Sequence, residues 1–176
     1  MLKLIEPRKC KLIFGAIYSS EKTYKRIKES LIKLYGQIDF ESSSVPFNYT
    51  EYYREEMGSD LKRRFISFKK LINPDAIVDI KLKAVKTEKR TAIVKRRRIN
   101  LDPGYLTEAK LVLSTTKDFS HRIYLGKRIF AEVTLIYKNK TFKNLPWTFP
   151  DYKTKTYKDI FLEIRNLYRS QIKEKI

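Results

Sequence analysis

The chain opens with a short apolar run, KCKLIFGAIYS (9–19), rich in β-formers and closed by serines. An apolar run of this length predicts a buried strand. SEKTYKRIKESLIKLYG follows, with apolar residues at Tyr24, Ile27, Leu31 and Leu34. That three-four-three spacing draws one stripe along a helix, with Ser20 as N-cap and Gly36 as the C-terminal stop. IDFESSSVPF (38–47) predicts a strand, and its Pro46 marks an edge or an end. LKRRFISFKKLI (61–72) predicts the next strand. Asn73, Pro74 and Asp75 then supply a cap, a first helical residue and a first-turn acid for a second helix. RRRINLDPGY (96–105) predicts a strand that closes on a turn.

The order β-α-β-β-α-β is that of the ferredoxin-like split unit. The expected fold is therefore α+β, with a ferredoxin-like βαββαβ core over residues 1–104. Residues 105–176 extend the same single domain. They supply a C-terminal β-hairpin, HRIYLGKRIFAEVTLIY, and an amphipathic helix carrying Tyr157, Ile160, Phe161, Ile164, Leu167 and Tyr168. Thr156 and Asp159 form the expected capping pair of that helix. The chain has neither internal repeats nor long linkers.

Polar chemistry concentrates in NLDPGYLTEAKLVLSTTKDFSHRIYL (100–125). Asp102-Pro103-Gly104-Tyr105 has the composition of a type II turn, with proline presetting the first central residue and glycine accepting positive φ at the second. Such a turn either fixes Asn100, Asp102 and Tyr105 around a site or simply ends a strand. Thr107 can cap a short helix through LTEAKLVLSTTK, and a buried strand is the alternative.

His121, the single histidine, is the candidate general base because imidazole titrates near neutrality. The hairpin loop decides its surroundings. A two-residue loop at Gly126-Lys127, which glycine-first turn chemistry favours, sets His121 opposite Glu132 as an orienting pair. A three-residue loop instead matches Ile123 with Ala131 and pairs Arg122 with Glu132, leaving His121 among apolar side chains. In LPWTFPDY (145–152) two prolines hold Trp147 on a semi-rigid loop. Trp147 then either walls a pocket with Asp151 at its rim or plugs the end of the sheet.

Composition narrows the field. A chain of 176 residues with 42% hydrophobic side chains suffices for one core. No apolar run reaches membrane-spanning length. The N-terminal stretch is broken by Glu6, Pro7, Arg8, Lys9 and Lys11 and does not resemble a signal peptide. With a single cysteine, Cys10, the expected compartment is the cytoplasm and no membrane partner is expected.

The formal charge is +19 and unevenly spread. Residues 81–98 hold nine basic side chains against Glu88, net +8, whereas residues 39–60 hold six acids against Arg54, net −5. The basic stripe, above all Lys89, Arg90, Lys95, Arg96, Arg97 and Arg98, is a candidate RNA-binding or acidic-partner surface or else a solvated face.

Several chemistries lack their residues. Gly126-Lys127 is followed by Arg128, and the position where a P-loop needs its first glycine is His121. Thr115-Thr116-Lys117-Asp118 sets its lysine one residue late for a guanine-reading box. One histidine and one cysteine cannot make a four-ligand zinc site. Magnesium, needing only one or two carboxylates, stays open, with no cofactor indicated. RRFISF puts Phe65 and Phe68 on opposite strand faces, which disfavours an RNA-stacking platform.

FNYTEYYREEMG, RRFISF, NLDPGYLT, TTKDFSHRIYL, IFAEVTL and PWTFPDY, in this order, resemble an uncharacterised prokaryotic family catalogued as a domain of unknown function. The resemblance covers nearly the whole chain. Some of its members carry a GTP-binding label, and relatives tend to show Gly-Asp-Gly where this chain has Gly126-Lys127-Arg128. The resemblance implies no known activity and gives no residue a role.

The residues themselves lead to two expectations. The first is a polar pocket for an anionic or phosphate-bearing small molecule. Asn100, Asp102, Tyr105, Lys110, Arg122, Trp147 and Asp151 contact the ligand, and His121, Glu132 and Asp102 stand in catalytic positions if a reaction occurs. There Arg122 or Lys110 would steady developing negative charge. The second is a binding module without catalysis that uses the 81–98 stripe.

Overall fold

A computed structural model describes residues 4–94 and 96–173 and, at Arg54, the backbone alone. The protein is a mixed α+β structure built on a nine-stranded sheet with four helices. Strand β1 (Lys11–Tyr18) is buried at all eight positions. It runs between β4 (Lys62–Phe68) and β5 (Ile99–Leu106), antiparallel to both. The main path of the sheet is β2-β4-β1-β5-β6-β8-β7. Here β2 is Ile38–Glu41, β6 Lys110–Thr115, β7 Ile123–Gly126 and β8 Ile129–Lys138. Two short strands lie off this path, β3 (Val45–Pro46) against β4 and β9 (Thr141–Asn144) against β8. The expected single strand at 38–47 is thus two pieces, interrupted at 42–44.

Both faces of the central strands are covered, which explains why β1 reads as a continuous apolar run rather than an alternation. Leu12, Phe14, Ala16 and Tyr18 meet helices α1 (Glu21–Tyr35) and α3 (Ile77–Thr91) through Tyr24, Ile27, Leu31, Ile77, Ile80 and Ala84. On the opposite face Ile13 and Phe65 pack with Tyr157, Phe161, Ile164 and Tyr168 of α4 (Lys155–Lys173). Phe65 and Phe68 do face opposite ways, one in each cluster.

The Ser20 hydroxyl accepts the Thr23 N–H at 3.3 Å, and Gly36 ends α1 at φ 90°. Leu34, drawn into the stripe by spacing, is 52% exposed. The α4 cap is Thr154, whose hydroxyl accepts the Tyr157 N–H, rather than the Thr156–Asp159 pair. Asp159 instead accepts from Lys155 on the surface. Among the described residues no helix is long and apolar enough to cross a membrane.

One local reading of the 100–137 region is overturned, and the strand-or-helix alternative at 110–115 is decided for the strand. Asp102-Pro103-Gly104-Tyr105 is not a turn: β5 runs straight through it, pairing Asp102 with Gly15 and Tyr105 with Leu12. Gly104 has no positive φ. Its glycine serves close approach, since a Cβ there would lie 2.3 Å from the Val112 carbonyl oxygen. Residues 110–115 form strand β6, not a helix, and Thr107 accepts the Ala109 and Lys110 N–H groups in the preceding turn.

The β7–β8 hairpin turns on Lys127-Arg128, both at positive φ, and a register shift between Tyr124 and Gly126 follows. Ile123 therefore meets Ala131, the pairing expected of the longer loop. The hairpin from β8 to β9 escaped the sequence reading. Its turn, Asn139-Lys140, takes positive φ at both residues, and Asn139 was the available signal.

β5 and β6 are paired only from Gly104 to Leu106. Beyond that the strands part, because Pro103 has no N–H to extend the ladder. The Ser114 hydroxyl closes the fork by donating to the Pro103 carbonyl at 2.8 Å. Gly104→Ala drives a methyl group into the Val112 backbone and is expected to cost roughly 2–3 kcal/mol as overpacking. Urea denaturation checks this, and an unchanged midpoint would remove the close-approach explanation.

Candidate functional site

The parting of β5 from β6 leaves the Leu101 backbone without a strand neighbour on one side. Two side chains of α3 replace that neighbour. Glu88 Oε1 accepts the Leu101 N–H at 2.6 Å, and Lys81 Nζ donates to the Leu101 carbonyl at 2.9 Å. The gap beside them is a cavity of about 430 Å³. Its floor is the α4-facing side of β1, β4 and β5, with Ile17, Arg63, Asn100 and Asp102. One wall is the end of β6 and its continuation to Lys117, with Arg122 and Glu132 behind. The roof is the segment 47–57, which contributes Phe47, Tyr49, Tyr52 and Tyr53, joined by Phe149, Asp151 and Tyr152 from the loop before α4.

Arg63 organises the floor. Its Nη1 donates to Asp102 Oδ2 at 2.8 Å and its Nη2 to Asp151 Oδ2 at 3.2 Å. The guanidinium also lies over the rings of Phe47, Phe65 and Tyr152 at 5.3–5.6 Å. To reach Asp102 on β5 it crosses β1 at Gly15, where a Cβ would stand 3.0 Å from Nη1. Such a buried pair depends on its hydrogen bonds, and Arg63 makes them through both terminal nitrogens while Nε has no partner. Burial pushes the Asp102 carboxyl up, but Arg63 and Lys81 outweigh it and hold Asp102 below the usual carboxylate range. Glu88 goes the other way: burial raises it despite Lys81 and the Leu101 N–H.

The roof is fastened at Glu56 on the short helix α2 (Arg54–Met57). Arg97 grips Glu56 with two side-chain bonds, at 2.8 and 2.5 Å, and reaches Asn100 Oδ1 at 3.1 Å. The Glu56 carboxyl is lowered by this contact. Lys117 spans the mouth, its ammonium 4.2 Å from the centre of the Tyr52 ring.

Of the residues singled out in the sequence, Asn100, Asp102, Arg122, Glu132 and Asp151 line the cleft. Tyr105 does not: it packs against the cluster on the other sheet face. Lys110 is exposed at the far end of β6, opposite Ile136. Trp147 stands outside the cleft, its indole N–H on the Val133 carbonyl at 2.9 Å. His121 lies behind the wall. Its ring stacks on Trp147 at 5.1 Å and meets the edge of Phe119, while Nε2 is 3.0 Å from Glu132 Oε2. Arg122 Nε donates to the same oxygen at 2.8 Å. The two loop alternatives thus coexist: His121 sits among rings and still touches Glu132.

The basic stripe is divided. Lys81 turns into the cleft and Arg97 onto Glu56, while Lys89, Arg90, Arg96 and Arg98 are exposed; Lys95 lies outside the described residues. Arg63, Lys81 and Glu88 were missed as site residues. A charge inside an apolar run, as in KRRFISF, was the signal for Arg63. Among the described residues no cluster of three or more histidine, cysteine or carboxylate side chains is placed to hold a metal ion.

The model of a family described as a domain of unknown function, DUF4416, matches residues 8–168, and the chain belongs to that family. Comparison with curated proteins and with solved structures gives no match.

Removing the guanidinium should strand Asp102 and Asp151. Arg63→Met is expected to cost on the order of 3 kcal/mol in urea denaturation, with much of the loss recovered when Asp102→Asn is added. No recovery in the double variant would mean that the pair is not coupled.

The two carboxylates also predict opposite pH signatures. Asp102 titrates lower folded than unfolded, so its contribution is full above the ordinary value of 3.8 and lost as pH falls through the folded value. Glu88 titrates higher folded, so its contribution is full below 4.5 and lost as pH rises through the raised value. The stability gap between wild type and Asp102→Asn should narrow on acidification. Glu88→Gln should gain on wild type as pH rises from about 4 towards neutrality. Parallel pH profiles for the two variants would contradict both assignments.

Proposed function

We propose that this protein binds an anionic, phosphate-bearing small molecule in the cleft between β5 and β6. One observation carries the reading. Among the described residues, five basic side chains (Arg63, Lys81, Arg97, Lys117 and Arg122) and four acidic ones (Glu88, Asp102, Glu132 and Asp151) line a single recess, and Glu56 beside it pairs with Arg97. Four of the five cations are held by acids or carbonyls. Lys117 rests on the Tyr52 ring instead, at the mouth, where an arriving anion meets it first. A recess of this volume, with aromatic walls and a few convergent polar groups, has the character of a small-molecule site.

The antiparallel order β2-β4-β1-β5, with α1 and α3 on one face, supports a ferredoxin-like core in residues 1–104. The remainder of the chain then builds the second wall. Glu132 holds Arg122 against that wall, and His121 acts on the cleft through Glu132.

The test is a thermal-shift and calorimetric panel of phosphorylated metabolites and organic acids. At least one should raise the melting temperature by mass action. Lys117→Gln should weaken it about tenfold, the effect expected of a lost charge-assisted contact. Lys110→Gln, remote from the cleft, should leave it unchanged. A panel without a shift, or a shift indifferent to Lys117→Gln, overturns the reading.

A further inference from the structure

The cleft is more specific than its charge alone requires. Its roof presents rings rather than aliphatic side chains, with Tyr49 and Tyr52 exposed at the mouth and Phe149 facing them from the opposite loop. Three exposed aromatic side chains around one opening offer stacking surfaces, one of them, Tyr52, shared with the Lys117 ammonium. The floor adds a second, independent feature. Asn100 and Tyr152 line the cavity; the buried Tyr152 hydroxyl has no hydrogen-bond partner in the protein, and the buried Asn100 Nδ2 has none at full hydrogen-bond geometry, only the nearby Asp102 carboxylate. Asn100 is 5% exposed and Tyr152 2%. Buried polar groups left unpaired are costly, and both can donate. Their complement is a ligand with hydrogen-bond acceptors on a flat edge.

Resting on the reading of the cleft as an anion site, we propose that its ligand is a heteroaromatic ring joined to a single anionic group, such as a phosphate monoester. The ring lies between the tyrosines of the roof and Phe149, with its acceptor edge on Asn100 and Tyr152. The anionic group sits at Lys117. The single cation at the mouth that no acid or carbonyl holds, Lys117, matches one phosphate monoester better than a triphosphate chain. The flat ring and the lone anionic group are separate statements, each with its own arm in the experiment.

Calorimetry on the full chain with AMP, UMP, ribose 5-phosphate and ATP separates them. AMP or UMP is expected to bind at least about tenfold more tightly than ribose 5-phosphate, the effect of one stacked ring. Phe149→Leu, on an exposed side chain, should erase most of that advantage without changing ribose 5-phosphate binding. Asn100→Leu should weaken AMP and UMP from the floor. Equal affinity for AMP and ribose 5-phosphate overturns the ring and leaves the anion reading standing. ATP binding more tightly than AMP overturns the single anionic group. If neither AMP nor UMP binds, the ring inference falls, and the anion reading falls with it only when the wider panel is also silent.

Discussion

At Gly104 the carbonyl oxygen of Val112 occupies the space where any other residue would carry its side chain. That contact draws β5 and β6 together over three residue pairs, and Pro103 at its end denies the ladder a further donor. The strands must part there. Backbone groups exposed by the parting cannot remain unpaired in a covered sheet, so α3 supplies Lys81 and Glu88 to Leu101. Charged side chains are thereby brought to the inside of a sheet because main-chain chemistry demands them. The cleft is a consequence of how one strand pair ends.

A second glycine sets what the cleft contains. Gly15 lies on β1 between Arg63 and Asp102 and gives the guanidinium room to cross. An arginine carried across a sheet and joined to two aspartates is an expensive arrangement in isolation, since desolvation opposes each charge. It persists when every ion has a partner, and Arg63 reaches both Asp102 and Asp151. The same field separates the two carboxylates facing Lys81. Asp102, in contact with Arg63, is held below the usual carboxylate range, whereas burial pushes Glu88 up against the pull of Lys81 and the Leu101 N–H. The electrostatic character of the recess follows from which carboxylate touches the arginine.

The sequence made the regular elements legible and the cleft only in part. Ser20 and Gly36 bound α1 as their chemistry dictates, and the apolar runs at 9–19 and 61–72 hold β1 and β4. The Asp-Pro-Gly segment misled because its residues have two physical uses. Proline and glycine make turns through φ, but here proline interrupts a ladder and glycine admits a backbone oxygen, and neither use leaves a local pattern. Residues 110–115 left strand and helix open because a short apolar run carries no periodicity that separates the two. Asn100, Asp102 and Asp151 were recognisable as polar residues beside structure-breaking ones. Lys81 and Glu88 were not, since their partners are backbone atoms of Leu101, twenty and thirteen residues away respectively.

His121 shows how a side chain outside a strand takes its neighbours from the local turn. Loop parity was expected to choose between an imidazole beside a carboxylate and an imidazole among rings. The register shift near Gly126 removes that choice, because residues 119–122 have left the strand and their side chains answer to local turn geometry. Trp147 is pinned to β8 by its indole N–H and presents a face on which the imidazole stacks. Glu132, 3% exposed, then receives both His121 and Arg122 on one oxygen. Of these three, Arg122 and Glu132 reach the cleft and His121 does not. The carboxylate that holds Arg122 at the cleft thus also holds His121, and the densest polar stretch of the chain meets the recess through that one residue.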